Sequence, residues 1–131
     1  MDFPAWMHWA AVAVGCGVGS VLRVELVRRL DSTAFPSGTL FANLSGAFGA
    51  GCVLGAHAGT LPMGHPTLSF LLFGFFGGLT TVSSYAAQVE ALWSARKPRR
   101  CVVYALATPS LCMGLALLGA GLMLLLTGNV P

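Results

Sequence analysis

The chain has 131 residues, of which 56% are hydrophobic and only 8% charged, with a mean hydropathy of +0.79. A soluble domain of this length carries roughly a quarter of its residues as charges to wet its surface, so the outer surface here is read as facing lipid. The formal net charge of +3 comes from seven Lys and Arg residues in two short clusters; they form no stripe that could track phosphates, which argues against nucleic-acid binding.

Four apolar stretches stand out, at about residues 5–22, 38–58, 67–93 and 101–127. Each is near the ~20 residues that cross a bilayer. Lipid offers no partner for an unpaired backbone, so all four are predicted to be helices. Residues 1–131 then make one all-α integral membrane domain.

The first span begins after Met1-Asp2, without the positive start of a leader, and is predicted to be retained as a helix. Its string G-C-G-V-G-S has no preceding strand and lies within an apolar run, so it is not a dinucleotide loop. Gly15 and Gly19 form a G-x-x-x-G step instead, which lets another helix backbone come close. Arg23 follows one turn later. It is either an interfacial arginine reaching for water or a structural charge that attracts an anion or fixes an interface.

The connection from Arg23 to Ser37 is charged and contains Pro36. In the second span Thr39 and Asn43 are four apart and share a face, with Gly46 beyond. An amide in a membrane helix should face protein or water, which leaves helix bonding or pore lining. The connection from Gly59 to Pro66 is a Gly/Pro turn whose one ionisable side chain is His65.

The third span holds Gly74-Phe75-Phe76-Gly77-Gly78-Leu79-Thr80-Thr81-Val82-Ser83-Ser84-Tyr85. Paired glycines followed by four hydroxyl residues are poor helix material, and a break is predicted there. Broken backbone at membrane depth is tolerated inside protein or along a cavity, where freed carbonyls can ligate a cation. Beyond it, Ser84 and Gln88 share a face, as do Val82 and Tyr85. After the basic connection Arg96, Lys97, Arg99 and Arg100, the fourth span carries Tyr104, Thr108 and Cys112 at successive steps of four, a polar stripe on an apolar helix.

The four cysteines, Cys16, Cys52, Cys101 and Cys112, have no zinc spacing and read as small buried residues. His8, His57 and His65 lie near span ends with no metal-ligand spacing. No nucleophile–base pair or metal cluster suggests an enzyme. Every Lys and Arg falls in the first or third connection, counting Arg23 among them. The positive-inside rule therefore predicts both termini outside and the two basic connections in the cytoplasm.

Together these residues resemble the Fluc (CrcB) family of fluoride channels. Its pattern is a glycine-rich first helix ending in arginine, then G-T-L-x-x-N-x-x-G, then G-x-x-G-G-x-T-T-F-S-T-F. Here these read Gly15 to Arg23, then Gly38-Thr39-Leu40-Phe41-Ala42-Asn43-Leu44-Ser45-Gly46, then Gly74 to Tyr85. The likeness covers nearly the whole chain in order and spacing.

The resemblance implies a plasma-membrane channel that exports cytoplasmic fluoride and relieves its toxicity. It implies an antiparallel, dual-topology-like dimer with two fluoride pathways. It also implies one structural sodium ion, not transported, held by the backbone carbonyls of Gly77 and Thr80. The pathway residues carried over are Asn43, Val82, Tyr85, Thr39, Ser83, Ser84, Tyr104 and Thr108. Three positions depart from the pattern: Val82 and Tyr85 stand where the family has phenylalanines, and Gln88 where members often carry a glutamate. These departures, with the one-sided basic residues, raise an alternative to the homodimer, a non-conducting or half-functional subunit paired with an oppositely oriented sister chain. A small multidrug exporter is a remoter alternative. It would need a carboxylate within the first span to couple protons, whereas Glu25 lies beyond Arg23.

Overall fold

The structure is a computed structural model and describes residues 3–31, 36–58, 60 and 65–128. Helix α1 is Ala5–Leu30 and α2 is Ser37–Ala56. Helix α3 covers 66–79 and opens at Pro66; its stretch Ser69–Phe76 is wound as a π-helix. Helix α4 is Val82–Ser94 and α5 is Pro98–Thr127. Between α3 and α4, Thr80 and Thr81 take extended dihedrals, and the span bends there. Counting Pro66–Ser94 as one, four spans among the described residues are long and apolar enough to cross a membrane.

The helices outrun the apolar stretches. Helix α1 continues past Leu22 to Leu30, so Arg23, Glu25, Arg28 and Arg29 are helical. Glu25 accepts from Arg28 three residues on, at 2.9 and 3.0 Å, and from Arg29 four residues on, spacings that favour helix. Asp31 then turns extended, and its Oδ1 accepts the Gly38 N–H at 2.6 Å, which caps α2. Helix α5 likewise starts before Cys101, at Pro98, whose ring is suited to a first helical position. Of the connection from Gly59 to Pro66, only Thr60, His65 and Pro66 are among the described residues.

Two parallel pairs build the bundle. In the first, α1 packs on α3 through Gly15 and Gly19 against Gly74 and Gly78. A Cβ on Gly19 would run into the Phe75 carbonyl, and one on Gly78 into the Cys16 carbonyl. In the second, α2 packs on α5, where a Cβ on Gly51 or Gly55 would strike the carbonyl of Ala116 or Ala120. Both seams use small residues four apart, which bring backbones close where lipid supplies no hydrophobic drive between helices. Outside these seams Val14, Val18, Val21, Leu117, Leu118 and Leu125 are exposed, as a lipid-facing surface requires.

Candidate functional site

Polar side chains gather where α2 meets the bend and α5. Asn43 is 7% exposed on α2. Its Oδ1 accepts the Thr81 N–H at 2.8 Å, and its Nδ2 donates to the Thr81 carbonyl at 3.2 Å. One amide thus meets both backbone groups of a residue outside regular helix, which would otherwise stand unpaired in an apolar interior. The pairing also fixes the amide's orientation, because a peptide N–H needs the oxygen end. Gly46, one turn further on α2, leaves room for the Thr80 methyl.

The hydroxyl run serves the bend first. Thr81 caps α4 by accepting the Ser84 N–H at 3.3 Å. Its hydroxyl lies 3.1 Å from that of Ser83 and 3.3 Å from that of Ser84. Thr80 donates back to the Phe76 carbonyl at 2.9 Å.

A second network ties three helices. Tyr104 on α5 donates to Gln88 Oε1 at 2.5 Å, and Gln88 Nε2 donates to the Thr39 hydroxyl on α2 at 2.7 Å. The ring of Tyr85 stacks on that of Tyr104 with centroids 5.7 Å apart, and its hydroxyl donates to the Ala105 carbonyl at 2.7 Å. Pro109 explains that last bond. It lies inside α5 and has no N–H for the carbonyl four residues back. That carbonyl is Ala105's, and Tyr85 supplies the missing donor.

Beside these groups a groove of about 480 Å³ opens between α2, the bend and α5. Asn43, Thr80, Thr81, Val82, Tyr85, Thr108 and Cys112 line it. A neighbouring groove of about 490 Å³ shares Thr108 and includes Leu40, Tyr104, Arg99 and Arg100. Of the residues singled out from the sequence, Asn43, Thr80, Val82, Tyr85 and Thr108 thus surround one opening. Thr39 and Tyr104 meet through Gln88 behind it, with Tyr104 stacked on Tyr85, while Ser83 and Ser84 cluster on Thr81. Gly77 and Thr80 flank the last turn of α3. Arg23 is half-buried on α1 and makes no ion pair among the described residues.

The outer groups have local roles. His8 meets the Ser69 hydroxyl at 3.1 Å, His57 bonds the Val53 carbonyl, and His65 caps α3 through the Thr67 N–H. Among the described residues no group of His, Cys, Asp and Glu could hold a metal. All four cysteines are free thiols.

A family model described as CrcB-like protein, camphor resistance (CrcB), matches residues 10–121. The chain belongs to the CrcB family. Relatives named fluoride-specific ion channel FluC bear this out over two thirds or more of their own length. One from Xanthomonas euvesicatoria pv. vesicatoria (strain 85-10) is 37% identical over 126 residues, covering 92% of both chains. One from Aquifex aeolicus (strain VF5) is 34% identical over 112 residues, covering 83% of this chain and 90% of the relative. One from Chromobacterium violaceum is 40% identical over 90 residues, covering 66% of this chain and 71% of the relative. With its four spans, this CrcB chain is a multi-pass protein of the plasma membrane.

Three participants were not among the pathway residues carried over to this CrcB sequence: Thr81, Gln88 and Pro109. Thr81 was visible as the second hydroxyl after the paired glycines, at the start of a new helix. Gln88 was visible as an amide one turn after Ser84. Pro109 gave the plainest signal, since a proline inside a membrane span always orphans one carbonyl.

Proposed function

We propose that this chain is a passive, fluoride-selective channel through which cytoplasmic fluoride leaves the cell, and that it is not an enzyme. The observation that carries the reading is the Asn43 amide paired with Thr81 at the edge of an open, largely apolar groove. The relatives named fluoride-specific ion channel FluC support the same reading.

The chemistry suits a small, tightly hydrated anion. Stripping water from such an ion needs hydrogen-bond donors in its place. Asn43 Nδ2 carries two N–H groups and gives one to Thr81, so the second is available to an ion in the groove. Thr39 accepts from Gln88 and keeps its own hydrogen to donate. Ser83, Ser84 and Thr108 add hydroxyls, and the Tyr85 ring offers a weakly positive edge. Amides and hydroxyls bind an anion without trapping it as a buried cation would, and conduction needs sites that release as well as admit. Hydrogen fluoride crosses lipid uncharged and ionises inside, so a passive fluoride path driven by membrane voltage is enough for export.

The pathway is proposed to close only in an antiparallel dimer. Val82 is 80% exposed at the groove rim, and a second subunit would supply the missing wall. The proposed sodium ion fits the backbone at the bend. In a continuous helix the Gly77 carbonyl would receive the Thr81 N–H, and the Thr80 carbonyl the Ser84 N–H. Those donors go to Asn43 and to the Thr81 hydroxyl instead. Two carbonyls deprived of helical donors suit a hard cation, whose charge would hold two subunits together at this point. Replacing sodium with a bulky organic cation is expected to lower the melting temperature of the assembled protein; an unchanged melt would count against the sodium.

Fluoride efflux from liposomes containing only this chain, with chloride as control, tests the main reading. Selective fluoride flux supports it. Absence of flux from folded protein favours a second reading, a subunit that inserts one way and conducts only beside an oppositely oriented sister chain. The placement of every Lys and Arg on one side favours that version. A tag on the C-terminus found equally on both membrane faces would rule it out. The exporter alternative has no support in Glu25, which is helical but engaged by Arg28 and Arg29.

A further inference from the structure

The basic residues at the end of the bundle are met in two different ways. On α1, Glu25 engages both Arg28 and Arg29. Between α4 and α5, Arg96, Lys97, Arg99 and Arg100 are all exposed and make no ion pair among the described residues. Glu90, the nearest acid in sequence, is exposed on α4 and bonds none of them. Positive charge is therefore concentrated on one short turn.

That turn works against its own cations. The Lys97 N–H donates to the Leu92 carbonyl at 3.1 Å, and the Arg96 N–H to the Trp93 carbonyl at 3.0 Å. This paired closure of a helix end normally places glycine in the left-handed conformation. Here Arg96 occupies it, with φ 55°, a backbone that costs any residue with a Cβ. Pro98 then opens α5 with no acid in its first turn and no side-chain cap. Arg99 and Arg100 sit there instead, where the helix dipole is already positive. An anion seated at the turn would relieve the crowded charge around all four side chains.

Position and shape say what kind of anion. A hollow of about 690 Å³ lies beside the turn, lined by Trp93, Ser94, Arg96 and Pro98. Trp93 is 66% exposed at the end of a membrane span, where tryptophan sits at headgroup level. The hollow thus has an apolar wall in Trp93 and Pro98 and a cationic edge in Arg96, with Lys97, Arg99 and Arg100 following on the same turn. We propose that the α4–α5 turn is a binding site for an anionic phospholipid, its phosphate among Arg96, Lys97, Arg99 and Arg100 and its glycerol region against the Trp93 indole.

Trp93 itself reports on the lipid beside it. In a Trp6→Phe/Trp9→Phe background it is the one remaining tryptophan. The probe is quenching of its fluorescence by brominated phosphatidylglycerol and by brominated phosphatidylcholine at equal mole fraction. At about 0.01 M ionic strength, where charges act over about 30 Å, the anionic lipid is expected to be preferred. The expected preference is roughly fivefold, the scale of one or more cations at a membrane surface. It should fall toward parity in R96Q/K97Q/R99Q/R100Q, and in the unsubstituted turn at about 1 M salt, where the screening length is about 3 Å. Arg96→Gly removes one cation and eases the backbone, so it should weaken the preference while the melting temperature holds or rises. Equal quenching by the two lipids at low salt overturns the proposal, as does a preference that survives loss of all four cations. Should inorganic phosphate erase the preference where chloride of equal ionic strength does not, the turn takes a soluble anion and the lipid assignment falls.

Discussion

Both sides of this bundle pack glycine against backbone, but the side at the bend adds a polar network that the other lacks. Along α1 and α3 the contact is made by leaving atoms out: Gly15, Gly19, Gly74 and Gly78 bring backbone against backbone. Around the bend, α2, α4 and α5 are joined by groups added in: Asn43 to Thr81, Gln88 to Thr39 and Tyr104, Tyr85 to Ala105. A seam of missing atoms can do one thing, which is to be close. A seam of polar groups holds the fold and also lies along the edge of a groove. That difference is why the candidate site lies on one side of the molecule and a plain scaffold on the other.

Four sets of substitutions probe the contrast. Gly19→Leu should be the most damaging, because its Cβ meets the Phe75 carbonyl and backbone cannot step aside. A loss of about 3 kcal/mol or more is expected, read as little folded protein in a thermal melt, while Gly17→Ala, with open space around it, should melt normally. Asn43→Ala strands both polar groups of Thr81. It should cost about 2–3 kcal/mol and also abolish fluoride efflux, whereas the glycine substitution should reduce flux only in proportion to folded protein. An Asn43→Ala channel with undiminished flux would remove the amide from the pathway.

Next in size, Tyr85→Phe leaves the Ala105 carbonyl without its donor and should cost about 1–2 kcal/mol. Pro109→Ala restores a helical N–H to the same carbonyl, so the double variant should recover most of that loss. A double-mutant cycle should give a coupling of about 1 kcal/mol; strictly additive effects would mean that the proline and the tyrosine are unrelated. Smallest, Gln88→Glu should change the melt by less than about 1 kcal/mol, since a carboxylate can accept from both Tyr104 and Thr39. Gln88→Leu, which satisfies neither, should cost about 2 kcal/mol and so serves as its control.

Much of the site was legible along single helices. Spacings of four put Thr39 with Asn43 and Tyr104 with Thr108 on common faces. Paired glycines before four hydroxyls marked the place where the third span bends. What the spacing does not contain is the register between helices. Nothing in the order of residues says that Asn43 reaches Thr81, or that Gln88 reaches across to Thr39. Tyr85 is the instructive case. As a departure from the family pattern it looked like an altered pore ring; in the fold its added hydroxyl answers a carbonyl orphaned by Pro109, twenty-four positions away in the chain.

By itself, then, the sequence determined the solvent this protein lives in, the number of its spans and the local faces of each helix. Those follow from composition and periodicity, which act residue by residue. The tertiary structure alone decided which face meets which and which polar groups lie beside the groove. It also decided that α1 and α5 carry their helices into the charged connections. Those outcomes depend on the satisfaction of every buried polar group at once, a condition on the whole bundle that no single stretch of chain contains.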